Sequence, residues 1–119
     1  MKKTLVIGAS LNPVRYSNIA INRLVENREA VVALGLREGV VAGIKINKER
    51  ELFKNIDTVT LYLNPKRQKD YFNYILSLKP NRVIFNPGTE NPEFYRILDK
   101  NKIAYEAACT LVLLSTNQY

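Results

Sequence analysis

The stretch Thr4-Leu5-Val6-Ile7-Gly8-Ala9-Ser10 decides the fold. Its apolar and β-branched residues have the length of a buried strand, and they run directly into a glycine and two small residues. A glycine at such a point lets the backbone turn sharply and lets a ligand approach the chain closely. The stretch therefore predicts a first strand, Thr4 to Gly8, that ends in a turn before a helix.

The same change from strand to helix recurs along the chain. Apolar runs predict four further main strands, at Ala30–Leu34, Thr58–Leu63, Arg82–Asn86 and near Ala104–Ala107. Helical spacing and capping residues predict helices at about Ser17–Asn27, from Pro65 to just before Lys79-Pro80, and from Pro92 to about Lys100. Between the second and third strands, three glycines (Gly35, Gly39 and Gly43) surround a polar loop. A short extended piece, Ile44–Ile46, and a short helix near Glu49–Asn55 are expected after it.

Strands that alternate with helices predict a parallel sheet, because parallel neighbours need crossover connections and these are right-handed. We expect an α/β fold with a doubly wound parallel sheet of five main strands in the order 3-2-1-4-5, forming one domain over residues 1–119. Ligands of such sheets bind beyond the carboxyl ends of the strands. The loops at those ends are therefore the candidate site.

Composition limits the possible functions. The 119 residues contain one cysteine and no histidine, so neither an internal disulfide nor a metal site of several Cys and His ligands is expected. No apolar run is long enough for a membrane span or a signal sequence, which predicts a soluble cytoplasmic protein. The formal charge of +7 favours an anionic partner. The only dense basic cluster is Lys66-Arg67-Gln68-Lys69, which disfavours nucleic acid and suits a phosphate-rich small ligand.

The loop after the first strand carries the predicted phosphate site. Gly8, Ala9 and Ser10 form the turn, and the helix that follows directs its N-terminus at an anion. The full G-x-G-x-x-G pattern is absent. Further along the same loop are Asn12, Arg15 and Ser17. Arg15 is the best candidate phosphate ligand, and the Ser17 hydroxyl is expected to cap the helix.

The ends of the other strands supply further candidate ligand contacts. An NAD site needs an acidic residue at the end of the second strand, where this chain has Leu34, Gly35 and Arg37. Arg37 suits a ligand with an extra ribose phosphate, as in NADP or coenzyme A. The remaining candidates are Tyr62 and Asn64 after the third strand, and Pro87 and Gly88 after the fourth.

Residues suited to catalysis are few. Without histidine there is no obvious general base, and no serine or cysteine has an evident partner. Cys109 is expected to be a buried structural thiol and Glu90 a loop or capping residue. We therefore assign no catalytic residue and no metal ligand.

Four segments resemble one known family, the small stand-alone CoA-binding proteins. They are Val6-Ile7-Gly8-Ala9-Ser10, Asn12-Pro13-Val14-Arg15-Tyr16-Ser17, Asn86-Pro87-Gly88-Thr89-Glu90-Asn91 and Ala108-Cys109-Thr110-Leu111-Val112. The resemblance covers nearly the whole chain and extends to the nucleotide-binding domain at the front of succinyl-CoA synthetase alpha chains. It implies a Rossmann-like domain that binds the phosphates of coenzyme A through Gly8, Ala9, Ser10, Asn12, Arg15 and Ser17. Many members have a Val-x-Pro-Val-Asn-Pro-like segment where this chain has Val32-Ala33-Leu34-Gly35-Leu36.

The leading hypothesis is a non-catalytic module that binds coenzyme A or an acyl-CoA, with adenine near 34–37 and 62–64. An NADP-binding oxidoreductase or redox-sensing domain is the alternative, and an interaction module with a vestigial site is the third. The expected partner is the nucleotide cofactor. The sequence names no protein partner and leaves a homo-oligomer open.

Overall fold

The computed structural model describes residues 2–119, in which strands and helices alternate from end to end. Seven strands lie within this range: β1 (Lys3–Ala9), β2 (Ala30–Gly35), β3 (Gly39–Val41), β4 (Ile44–Asn47), β5 (Ile56–Leu61), β6 (Arg82–Phe85) and β7 (Ala104–Ala107). The helices in the same range are α1 (Tyr16–Glu26), α2 (Pro65–Gln68), α3 (Phe72–Leu78), α4 (Pro92–Lys100) and α5 (Thr110–Ser115). A 3₁₀ turn, Lys69–Tyr71, joins α2 to α3. No helix of residues 2–119 is long and apolar enough to cross a membrane.

All strands form one sheet in the order β3-β4-β2-β1-β5-β6-β7. Every neighbouring pair is parallel except β3 and β4, which form an antiparallel hairpin at one edge. Strand β1 is central, with β2 on one side and β5 on the other. The predicted α/β fold class, a doubly wound and mostly parallel sheet, is confirmed.

The predicted strand order, 3-2-1-4-5, differs from the observed one in a single placement. It puts the strand Thr58–Leu63 beside β2, whereas that strand, β5, pairs with β1 through Thr4↔Thr58 and Val6↔Thr60. The place beside β2 belongs to β4, through Ala33↔Ile46. The reason is that the β3–β4 hairpin fills the position beside β2, with β4 parallel to β2. The chain therefore crosses to the other side of β1 after β4, one strand earlier than predicted.

The predicted short helix near Glu49–Asn55 is wrong, because this segment has no helical turn. It runs as a loop and is attached to neighbouring backbone. Nη1 of Arg50 donates to the Asp70 carbonyl at 2.5 Å, and the Tyr74 hydroxyl donates to the Glu51 carbonyl at 2.5 Å. These tertiary contacts override the weak helical pattern of a charged segment.

Two apolar layers cover the two faces of the sheet, as the alternation along β1 requires. Leu5 and Ile7 belong to the layer that packs against α3 and α4. Val6 belongs to the layer beneath α1 and α5, and Ala9 joins that layer because the register of β1 shifts between Ile7 and Ala9. With both faces of the sheet covered, its carboxyl-end loops remain the main accessible concavity.

Candidate nucleotide-binding site

A cleft of about 550 Å³ opens at the carboxyl ends of β1, β2, β5 and β6. The structure brings nearly all of the predicted site residues to it: Gly8, Ala9, Ser10, Asn12, Arg15, Ser17, Gly35, Arg37, Tyr62, Asn64, Pro87 and Gly88. Leu34 is the exception, because its side chain is buried in the core and only 2% exposed. Further lining residues lie in the same predicted loops, namely Leu11, Tyr16, Leu36, Leu63 and Thr89, whereas Arg67 and Tyr71 lie beyond them.

The floor of the cleft begins at Gly8, where β1 turns into the loop that follows it. Gly8 has φ +92°, a conformation that L side chains rarely adopt. A Cβ placed there would lie 2.9 Å from the Tyr62 carbonyl oxygen. Besides the predicted ligand approach, the neighbouring strand end therefore requires a glycine here, because it leaves no room for a side chain.

Hydrogen bonds within the loop after β1 fix its shape. The Asn12 backbone N–H donates to Ser10 Oγ and the Val14 N–H donates to Asn12 Oδ1, each at 3.1 Å. Asn18 Nδ2, from α1, donates to the Ser10 carbonyl at 2.9 Å. The Ser10 hydroxyl proton and the Asn12 amide protons are not used in these bonds. The loop is therefore held in place while two of its side chains keep donors for a ligand.

Helix α1 begins without a side-chain cap. Arg15 occupies the capping position with extended backbone and makes no capping hydrogen bond. The prediction that Ser17 caps this helix is wrong, because α1 begins at Tyr16 and Ser17 is buried in its first turn. The Asn18 N–H donates to the Arg15 carbonyl at 3.0 Å, but the N–H groups that begin a helix have no acceptor within it, and the helix dipole adds positive potential there. An anion in the cleft would meet that end of α1.

Three exposed arginines give the cleft its charge: Arg15, Arg37 and Arg67 all line it. None of the lining residues is Asp or Glu. Across the described chain, residues 2–119, no ion pair within 4.0 Å involves any of the three. The signal for Arg67 was the basic cluster at 66–69, whose orientation toward the cleft depends on α2. Three guanidinium groups without neutralising carboxylates favour a ligand with several phosphate charges.

Buried amides hold the loops on the β5 and β6 side of the cleft. Gln68 is fully buried, and its Nε2 donates to the carbonyls of Leu63 and Thr89 at 2.8 and 2.7 Å. Its Oε1 accepts from Asn91 Nδ2 at 3.0 Å. One side chain thus joins the loop after β5 to the loop after β6.

Asn86, at the end of β6, makes a second set of buried bonds. Its Nδ2 donates to Thr60 Oγ1 at 2.7 Å and to the Leu61 carbonyl at 2.9 Å. Its Oδ1 accepts from the backbone N–H of Thr110 at 2.9 Å, which fixes the start of α5. Helix α5 was not predicted, because the side chain that anchors its first turn, Asn86, is distant in the chain and leaves no local signal.

The turn after β6 presents backbone to the cleft. Thr89 N–H donates to the Asn86 carbonyl at 2.9 Å, and Gly88, at the third position of the turn, has φ +91°. Pro87 followed by a left-handed glycine is typical of a type II turn. Glu90 accepts from the Gly88 N–H at 2.8 Å, as expected of a loop carboxylate.

Tyr62 lines the cleft, but its hydroxyl is buried and has no hydrogen-bond partner within the described residues. Burial raises the pKa of this phenol to about 12. Tyr62 is therefore neutral at physiological pH. Cys109 lies outside the cleft lining, half-buried at the capping position of α5, so it is less buried than expected.

Comparison with known proteins assigns the chain to one family. Residues 2–115 match the family model described as a CoA binding domain. No curated protein matches the chain.

Several solved structures share the fold. A crystal structure described as that of an uncharacterized protein is 48% identical with a TM-score of 0.96, and the match covers 100% of this chain and 98% of that one. A conserved hypothetical protein from Pyrococcus furiosus is 27% identical with a TM-score of 0.83, covering 94% and 98%. A protein from Thermus thermophilus is 21% identical with a TM-score of 0.87, covering 99% and 90%, which shows the fold alone.

Proposed function

Because this chain belongs to the CoA binding domain family, we propose that its cleft holds coenzyme A or an acyl-CoA and that the protein binds this ligand without transforming it. The observation that carries the proposal is the set of three arginines in a cleft without carboxylates. Coenzyme A carries a diphosphate and a separate ribose phosphate, so its charge matches such a cleft.

The diphosphate is expected to bind at the turn after β1. Gly8 and Ser10 bring the backbone close, the uncapped start of α1 contributes N–H groups, and Arg15 supplies a guanidinium. The ribose phosphate then falls toward Arg37 at the end of β2 and Arg67 on α2. This arrangement follows the general rule that the adenosine half lies beyond the second strand.

The alternative, an NADP-binding enzyme, has less support. The chain lacks histidine, and the cleft lining contains no cysteine or carboxylate. The Tyr62 hydroxyl is buried and has no partner among residues 2–119, so it is not placed to exchange a proton with a ligand in the cleft. These features favour a binding protein over an oxidoreductase or a thioester hydrolase.

Isothermal calorimetry with a ligand series tests the proposal. Coenzyme A should bind at least about tenfold more tightly than dephospho-coenzyme A, because the latter leaves a guanidinium without its phosphate. NADP should bind more weakly than coenzyme A, and acetyl-CoA should remain intact on prolonged incubation. Preferential binding of NADP, or steady turnover of acetyl-CoA, would contradict the proposal.

A further inference from the structure

Tyr71 lies at the end of the 3₁₀ turn between α2 and α3, where it lines the cleft. The guanidinium carbon of Arg50 lies 4.1 Å from the centroid of its ring. Arg50 does not itself line the cleft. Because Arg50 does not line the cleft, the part of Tyr71 that lines it is not the face that the guanidinium covers.

Two hydrogen bonds, besides the contact of Arg50 with the Tyr71 ring, attach the loop of Arg50 to the segment around Tyr71. Nη1 of Arg50 donates to the Asp70 carbonyl at 2.5 Å, directly before Tyr71 in the chain. The next residue, Glu51, accepts from the Tyr74 hydroxyl at 2.5 Å. The loop between β4 and β5 is thus fastened to the segment 70–74 on both sides of the ring, which fixes the ring before any ligand arrives.

We infer that Tyr71 is the stacking platform for the base of the bound nucleotide, and that Arg50 is a positioning residue that holds this platform. The inference rests on the proposed function and names the part of the ligand that this side of the cleft takes. A π-face stacks on a nucleobase, and a cation on the far side of the ring holds the ring in one orientation.

The surroundings of Tyr71 fit a base better than they fit another phosphate. Leu36 lines the same cleft from the end of β2 and is 64% exposed, so it offers apolar surface that a base would cover. Arg37 and Arg67 line the cleft as well and would meet the ribose phosphate beside the base. Base and ribose phosphate are adjacent in coenzyme A, and these residues all line one cleft.

Calorimetry with two probes tests the platform. Coenzyme A contains the base, whereas 4′-phosphopantetheine lacks it. Tyr71→Leu should weaken coenzyme A binding by about tenfold or more, and Tyr71→Phe should keep it within about threefold. Neither change should alter the affinity for 4′-phosphopantetheine. If Tyr71→Leu binds coenzyme A as tightly as the wild type, or loses both probes equally, the platform is refuted.

A double-mutant cycle tests the positioning role of Arg50. Arg50→Gln should weaken coenzyme A binding severalfold in the wild-type background and have no further effect in Tyr71→Leu, because it acts through the ring. Leu52→Ser, at an exposed position of the same loop, is the matched control and should bind normally. Independent, additive losses would overturn the positioning role.

The outcomes separate this inference from the proposed function. A wild-type protein that binds no coenzyme A contradicts the proposed function itself. A wild-type protein that binds coenzyme A, together with a Tyr71→Leu variant that binds it equally well, contradicts only the platform. Melting curves of each variant identify any loss of binding that comes from unfolding. If Tyr71→Leu is unfolded, Arg50→Gln at an exposed position replaces it as the test. It should then weaken binding of coenzyme A and leave binding of 4′-phosphopantetheine unchanged, and any other result refutes the platform.

Discussion

Gly8 and Gly88 have nearly the same backbone conformation, with φ +92° and +91°, but different surroundings. A Cβ at Gly8 would lie 2.9 Å from the Tyr62 carbonyl oxygen, whereas a Cβ at Gly88 would meet nothing within 4 Å. Both alanine variants should lose about 1 kcal/mol or more through backbone strain. Gly8→Ala should lose more, by roughly another 1–3 kcal/mol, since the neighbouring strand end must move. Urea unfolding measures the free energy of unfolding of both variants. Equal losses would show that the contact with the Tyr62 carbonyl adds nothing to the cost of a side chain at Gly8.

Arg15 should contribute to binding and not to folding. It is exposed and has no ion pair within residues 2–119, so Arg15→Ala should leave the melting temperature unchanged. Coenzyme A binding should weaken by roughly 1.5–3 kcal/mol, because a charge-assisted contact to phosphate is lost. The loss should shrink as salt rises, since salt screens an exposed ionic contact.

Arg96→Ala is the control for this measurement, because Arg96 is an exposed arginine outside the cleft lining. Its affinity for coenzyme A should equal that of the wild type at each salt concentration. If Arg15→Ala behaves like Arg96→Ala at low salt, Arg15 is a surface arginine and the phosphate assignment is wrong.

At the scale of elements, Gln68 is the main connection between the loops on the β5 and β6 side of the cleft. Gln68→Leu keeps the volume approximately but leaves the carbonyls of Leu63 and Thr89 without their donor. Unfolding free energy should fall by roughly 2–4 kcal/mol, since two buried acceptors are left unpaired. Amide hydrogen exchange should quicken in both loops together. The exposed neighbour Lys66→Leu should change stability by less than about 0.5 kcal/mol, and a similar small change at Gln68 would contradict the connection.

Most helices and strands were predictable because the capping residues and apolar patterns that indicate them lie within the elements or directly beside them. Asn64 and Asn91 do cap α2 and α4, accepting from the N–H groups of Arg67 and Phe94, and the strand Ala104–Ala107 has the predicted bounds. The misplaced strand order and the missed α5 depend on distant pairing: β4 with β2, and Asn86 with Thr110. Periodicity within a segment contains no information about such partners.

At the scale of the whole molecule, the end of the sheet opposite the cleft contains a carboxylate that responds to acid. The amide of Asn81 donates to Asp57 at 3.0 Å and is the largest cause of a pKa below the ordinary value of 3.8. A carboxyl with a lowered folded-state pKa stabilises the fold above its unfolded-state pKa, and this contribution disappears as pH falls through the folded-state value. Asn81→Ala should therefore be less stable than wild type at pH 7, and the gap should narrow below about pH 3.8.

Urea unfolding of both proteins at several pH values measures this gap. A gap that stays constant from pH 7 to pH 3 would mean that Asn81 stabilises the fold independently of the charge on Asp57.

The location of the candidate site was predictable for a whole-molecule reason. Parallel strands direct all their carboxyl ends to one end of the sheet, and β2, β1, β5 and β6 are neighbours, so the loops that follow them lie together. Gly8 and Arg15 were found from that rule. Arg67 and Tyr71 were not, because the 3₁₀ turn between α2 and α3 sets where Tyr71 lies and no local pattern predicts that turn. Leu34 does not line the cleft, because its side chain is buried in the apolar layer that packs against α3 and α4.

The two edges of the sheet have a consequence for colloidal behaviour. An edge strand exposes unpaired backbone groups that can recruit another chain and start aggregation. Here β3 at one edge has three residues and β7 at the other has four, so each offers only a short template. With a formal charge of +7 adding mutual repulsion between copies, the protein should tolerate high concentration in low salt and lose part of that tolerance as salt is raised.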